Sequence, residues 1–182
     1  MITLKQLQHV YKEAPLARLQ TFLPLLIETM TQYEINTPQR MRMFLAQIGH
    51  ESGQLCYTEE LASGSDYEGR KDLGNDVPGD GVRYKGRGLI QLTGRTNYQL
   101  ASMGLDIDLV DKPETLSQPQ YAALSAGWFW KNNNLNTLCD SGQFKELSYR
   151  INGRKKKVNG VMPDPNGYAD RYKLYQRACE VI

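Results

Sequence analysis

The sequence is poor in the residues that build metal centres and disulfide frameworks. Its three cysteines, Cys56, Cys139 and Cys179, are widely spaced and odd in number, and no Cys-x-x-Cys pair occurs. That excludes a zinc module and a stapled scaffold and suits a chain made in a reducing cytosol. Histidine is scarcer still. With only His9 and His50, a histidine-rich metal site is not available. His50-Glu51 begins like a zinc-protease helix, but Gln54 stands where the second histidine belongs. No metal or other cofactor is therefore expected. An excess of one charge is also missing: 22 Lys and Arg oppose 20 Asp and Glu, a net charge of +2, which gives no ground for a nucleic-acid partner. The apolar run Phe22-Leu23-Pro24-Leu25-Leu26-Ile27 is far too short to span a membrane. The first twenty residues lack the long apolar core and small-residue cleavage site of a secretory signal. Gly86-Arg87-Gly88 has Gln91 in place of a third glycine and no βαβ pattern around it, so a dinucleotide loop is excluded.

What remains fits an ordinary globular protein. A hydrophobic content of 40% and a charged content of 23% over 182 residues support one domain, or one domain in two lobes, with a real core. Eleven tyrosines against four phenylalanines and two tryptophans offer flat apolar faces with a hydroxyl, a combination that suits ring-shaped polar ligands such as sugars.

Periodicity makes the class mainly α. Thr3 caps a first short helix carrying Leu4, Leu7 and Val10. After Pro15, apolar residues from Leu16 to Met30 recur at helical spacing, with Pro24 placed to kink or divide the segment. Thr37-Pro38 opens a third helix that runs to about His50. Residues 52 to 86 carry glycines interleaved with Asp, Asn and Ser, which predicts a long irregular excursion with one helical turn near Tyr67. Leu89-Ile90-Gln91-Leu92 reads as strand-like, and Thr93 or Thr96 is the candidate cap of a helix from Asn97 to Met103. Lys112-Pro113-Glu114 is a turn. Further helices are predicted over 118–131, 144–152 and 168–179. Trp128-Phe129-Trp130 lies in a helix that is apolar all round, which makes it core rather than a sugar platform.

The chemistry-bearing feature is Glu51, at the end of the apolar helix MRMFLAQIGHE and just before the flexible Ser52-Gly53. A carboxyl there is held by rigid packing, and an apolar surround would keep it protonated. Glu59 and Glu60 follow in a polar loop where one can stay ionised. Glycoside cleavage needs such an unlike pair. Arg87 is placed to pair with Glu51, to brace a cleft, or to form a surface ion pair. Gly86 and Gly88 let backbone approach a sugar closely. Arg154-Lys155-Lys156-Lys157 is a solvated basic loop that can also attract anionic envelope polymers.

FLAQIGHESG, YTEEL, GDGVRYKGRGLIQLTGRTNY, AGWFW and INGR, in this order and at these separations, resemble glycoside hydrolase family 19, and within it the phage and prophage endolysin branch. The resemblance covers the chain from about Thr37 onward. It implies a mainly α, lysozyme-like fold with two lobes around a substrate cleft and little β structure. The whole chain would be a single catalytic domain. It implies an inverting glycosidase in which Glu51 is the general acid and Glu60, with Glu59 as the alternative, the general base. Thr93 matches the hydroxyl that positions the attacking water. Gln91 and Asn97 match substrate-contacting polar positions and Asn152 a cleft asparagine; Arg87 and Tyr84, on the same run, are further candidate substrate contacts. Thr96 stands where plant members carry a cleft tyrosine. The expected function is that of an endolysin cutting β-1,4 bonds of peptidoglycan glycan strands. It would act as a monomer without membrane insertion, accumulate in the cytoplasm, and reach the wall once a holin breaches the membrane. The alternatives are a chitinase and, in another class, a non-catalytic wall-binding protein.

Overall fold

A computed structural model describes residues 1–153 and 157–182, so Arg154, Lys155 and Lys156 of the basic run lie outside the described residues. The described residues form helices α1 (Leu4–Val10), α2 (Leu16–Gln32), α3 (Pro38–Glu51), α4 (Asp80–Arg83), α5 (Arg95–Leu105), α6 (Pro119–Asn132), α7 (Leu135–Asp140), α8 (Phe144–Asn152) and α9 (Tyr168–Cys179). Among them β structure is limited to isolated bridges, Glu59 with Arg87, Arg87 with Leu92 and Val158 with Val161.

The helix starts follow from local chemistry. Thr3 and Gln6 form a reciprocal capping box at α1, satisfying two N–H groups that the first turn leaves open. Thr37 accepts from the Arg40 amide with Pro38 at the first helical position of α3. Pro24 neither breaks nor divides α2, which runs unbroken past it. Pro24 and Gln20, whose carbonyl loses its i+4 partner to the proline, both lie on the exposed face, where water can replace the missing bond.

Helix α3 is the axis of the larger lobe. Met43 through Gly49 are all buried, with α9 packed along one side. Gly49 makes the close approach possible: a Cβ there would collide with the Tyr11 ring and touch Leu174. Leu7, Phe22, Leu26, Phe44, Ile48, Trp130 and Leu174 belong to this core. A second, smaller apolar cluster contains Tyr84, Leu92, Tyr98, Ala101, Leu109 and Leu116. Phe129 packs against both clusters, which gives the expected two lobes a shared seam. The buried Trp130 bears out the core reading of Trp128-Phe129-Trp130.

Several local expectations change. Leu89–Leu92 is not a strand but a tight turn, closed by paired backbone bonds between Arg87 and Leu92, with Gln91 at φ 54°. Neither Thr93 nor Thr96 caps α5: Gly94 holds that position without a side-chain bond. Short helical pieces over 71–73, 80–83 and 135–140 were not predicted.

The smaller lobe carries a buried ion pair with a pH consequence. Asp80, with 2% of its side chain exposed, receives Arg95 through both guanidinium ends and the Val77 amide. The Arg95 hydrogen bond holds the Asp80 carboxyl below its ordinary value against the opposing effect of burial. Its stabilisation is therefore fully present above the unfolded value, about 3.9, and is lost as pH falls through the lowered folded value. Asp80→Ala should cost about 3 kcal/mol at pH 7. Thermal unfolding of both proteins should show that difference shrinking as the pH drops below about 3.9.

Candidate active site

Glu51 closes α3 with 18% of its side chain exposed. Gln47, one turn earlier on the same face, is fully buried. Both are held by Arg171 of α9. Its guanidinium donates to Glu51 Oε1, to Gln47 Oε1 at 2.6 Å and to the Asn166 carbonyl at 3.0 Å. Gln47 in turn donates to Ser148 Oγ of α8 at 2.9 Å. Three helices thus meet behind the carboxylate. The surround of Glu51 is not the apolar wall expected from sequence: a cation with 1% of its side chain exposed sits against it. Beside it, His50 Nδ1 lies 2.7 Å from Asp170 Oδ2.

After Ser52 the chain makes a short turn that the Tyr57 amide closes on the Ser52 carbonyl, and Thr58 to Glu60 follow. The two adjacent glutamates differ sharply. Glu59 reaches Lys85 Nζ at 2.9 Å and Arg87 Nη2 at 3.4 Å, and accepts from Ser117 Oγ at 3.3 Å. The Lys85 hydrogen bond, helped by Arg87, holds its carboxyl below the usual range. Glu60 meets uncharged donors instead, the Tyr67 hydroxyl at 2.9 Å and the Gly86 amide at 3.0 Å. Burial first, then the bond to Glu60, pushes the Tyr67 phenol above its ordinary value, so it remains a donor through the neutral range. A cavity of about 90 Å³ adjoins Glu60 and Tyr67, room for a few water molecules.

Gly86 draws the remaining site residues together. A Cβ placed on it would lie 2.9 Å from Gln91 Oε1, 3.1 Å from Glu60 Oε2 and 3.3 Å from Thr93 Oγ1. The absent side chain is therefore the space these three groups share. Backbone carbonyls fix two of them and a neighbour: Thr93 Oγ1 donates to the Gln91 carbonyl at 2.9 Å, Gln91 Nε2 to the Gly88 carbonyl at 3.0 Å, and Asn97 Nδ2 to the Thr93 carbonyl at 2.7 Å. Asn152, part-exposed, ends α8 one turn beyond Ser148, on the face that Ser148 turns toward α3.

Two expected substrate contacts are corrected by burial. Tyr84 is 1% exposed; its hydroxyl donates to the Val110 carbonyl and its ring lies under Arg95. Arg87 is also buried. It bonds the Arg83 carbonyl, the Tyr98 hydroxyl and Glu59, not Glu51. Both brace the wall from behind. Sequence reasoning missed Arg171 and Tyr67. For Arg171 a signal existed: it shares helical spacing with the buried Leu174 and Ala178, a core position on an otherwise polar helix.

A profile of glycoside hydrolase family 19, described as chitinase class I, matches residues 36–140. The chain belongs to glycoside hydrolase family 19. A family 19 domain-containing protein of Haemophilus influenzae is 30% identical over 165 residues, covering 74% of this chain and 76% of the relative. An endochitinase of Arabidopsis thaliana is 40% identical over 139 residues, covering 76% of this chain but 46% of its own length. The chain spans about half the length of the Arabidopsis endochitinases it matches. In fold it is similar to chitinase C of Streptomyces griseus, with a TM-score of 0.77 at 21% identity, over 99% of this chain and 76% of that one. A bacterial family 19 chitinase gives a TM-score of 0.76 at 23% identity, over 99% and 94%. At that identity the two likenesses speak for the fold alone.

Proposed function

We propose that this family 19 chain is an inverting β-1,4-glycosidase acting on the glycan strands of peptidoglycan, an endolysin. The observation that carries the reading is a pair of carboxyls in unlike surroundings on either side of one short turn. Glu51 is fixed through one oxygen by Arg171, and Oε2 has no hydrogen bond among the described residues. Glu60 is fixed by Tyr67 and Gly86 beside Thr93 and Gln91. Inversion divides the work between two such groups across a gap of about 6.5–9.5 Å.

In this mechanism Glu51 gives a proton from Oε2 to the glycosidic oxygen as the bond from that oxygen to C1 breaks. A water held at Glu60 attacks C1 from the opposite face and passes its proton to Glu60. The Thr93 hydroxyl and the Gln91 amide orient that water, which lowers the entropy to be lost in the transition state. Asn97 fixes the Thr93 backbone. The product should appear first as the inverted anomer by proton NMR. Turnover should be bell-shaped in pH, falling when the acid loses its proton and when the base gains one; a rate rising steadily with pH contradicts the role of Glu51.

The chemical step asks only for a β-1,4-linked N-acetyl sugar, so the cleft walls select the polymer. Thr96, itself exposed, sets Oγ1 against Gly74 of the 70–74 loop, at the position where the resemblance puts a plant tyrosine. That contact supports a glycan other than plant-type chitin. The names of the Arabidopsis relatives favour the second reading, a chitinase. Reducing ends released from purified peptidoglycan, measured beside chitin, distinguish the two, and chitin cleavage with intact peptidoglycan sinks the endolysin reading. As an endolysin the chain would work as a monomer after a holin opens the membrane to it from the cytoplasm.

A further inference from the structure

The turn between the two carboxyls has a backbone that its sequence does not favour. Gly53, Gln54 and Leu55 are consecutive residues at φ 56°, 56° and 70°. Glycine adopts this region freely, but glutamine and leucine seldom do. Such a run persists only where surrounding structure holds it.

Two sets of contacts do so. One comes from α3 itself: the Gln54 amide donates to the Gly49 carbonyl at 2.6 Å, and the Leu55 amide donates to Ser52 Oγ at 2.9 Å. The other comes from the N-terminal helices. The Arg18 guanidinium in the first turn of α2 donates to the carbonyls of Leu55 at 2.8 Å and Cys56 at 3.4 Å, while lying over the Phe22 ring. Between α1 and α2, the Glu13 amide donates to Gln54 Oε1 at 3.1 Å, and Gln54 Nε2 donates back to Glu13 Oε2 at 2.8 Å. Both Gln54 and Leu55 are buried. Residues 13 and 18 precede the segment that the family profile matches, which begins at residue 36.

We infer that Glu13, Arg18 and Gln54 are positioning residues: the α1–α2 segment clamps the strained turn and thereby sets the placement of Glu51 relative to Glu60. The inference rests on the carboxyl roles given above. Arg18 bonds the backbone of the turn, and Gln54 bonds Glu13. Their effect passes through the turn, and inversion is sensitive to it because a misplacement of about 1 Å in a reacting group can cost about a hundredfold in rate.

The test uses Arg18→Met and Gln54→Gly. Gln54→Gly relieves the backbone at φ 56° while deleting the Glu13 link, so the fold should hold as the clamp loosens. Both variants should lower kcat about tenfold or more with KM changed less than about threefold. Hydrogen exchange over 52–57 should quicken while that of Met43–Gly49 stays slow. In a Glu60→Gln background neither substitution should lower the residual rate further, because the geometry it disturbs no longer matters. If Arg18→Met fails to fold, Gln54→Gly carries the test alone. An unchanged kcat in Gln54→Gly overturns the inference, as does an equal loss that persists in the Glu60→Gln background. The reading of the site fails separately, if Glu51→Gln and Glu60→Gln themselves remain active.

Discussion

Glu60→Gln should lower kcat by about 10²–10⁴-fold on whichever β-1,4 glycan the enzyme cleaves, with unfolding temperature nearly unchanged. The amide keeps the size of the carboxyl and can still accept from Tyr67 or the Gly86 amide, but it cannot take a proton from water. Glu51→Gln should cost as much, because the leaving oxygen then has no donor. The informative control is Glu59→Gln. Its carboxyl is engaged by Lys85, Arg87 and Ser117, so the loss should fall on stability: a few degrees in unfolding temperature and less than tenfold in rate. That penalty should disappear in acid, since the lowered carboxyl contributes above its unfolded value, about 4.3, and not below its folded one. Kinetics and melting curves on the same preparations decide between the neighbours. A dead Glu59→Gln beside an active Glu60→Gln would reverse the assignment of the base.

Arg171→Met should be the most destabilising of the substitutions considered, by about 3–5 kcal/mol. For a chain of this length that is about 10 °C in unfolding temperature. Methionine fills much of the volume, so the cost falls on the polar groups: Glu51 Oε1, Gln47 Oε1 and the Asn166 carbonyl lose their shared donor. A second change separates this from lost packing. If the bond between Arg171 and Glu51 carries the cost, Glu51→Gln should destabilise the Arg171→Met protein less than it destabilises the unmutated one. Equal losses in the two backgrounds would mean that Arg171 contributes by shape and not through its bond to Glu51.

The parts of this fold legible in the sequence are those written in local chemistry. Thr37-Pro38 marked the start of α3, and Gly153 and Gly167 punctuated α8 and α9 at the bounds observed. Length and composition left one lobe or two open, and the family resemblance decided for two. Leu89-Ile90-Gln91-Leu92 misled because four apolar or long residues in a row fit a strand as well as a tight turn. The deciding fact is non-local: Leu89 and Ile90 enter one apolar cluster and Leu92 the other, so the chain must reverse between them. Glu51 was visible because it ends an apolar helix. Its partner was not, because an arginine in a polar C-terminal helix reads as solvated unless its register with Leu174 and Ala178 is weighed. Glu59 and Glu60 could not be told apart by position, since what distinguishes them is Lys85 and Arg87 on one side and Tyr67 and Gly86 on the other.

The distance along the chain between Glu51 and Arg171 also has a consequence in time. Along the chain, Glu51 precedes the guanidinium that seats it by 120 positions. At about 5–20 residues per second of synthesis, α3 waits on the order of ten seconds for its partner. Until α9 docks, the groove on α3 that holds Gln47 and Glu51 lacks the cover and the guanidinium that α9 brings to it. Cleavage by the proposed pair would therefore wait on the docking of α9 against α3.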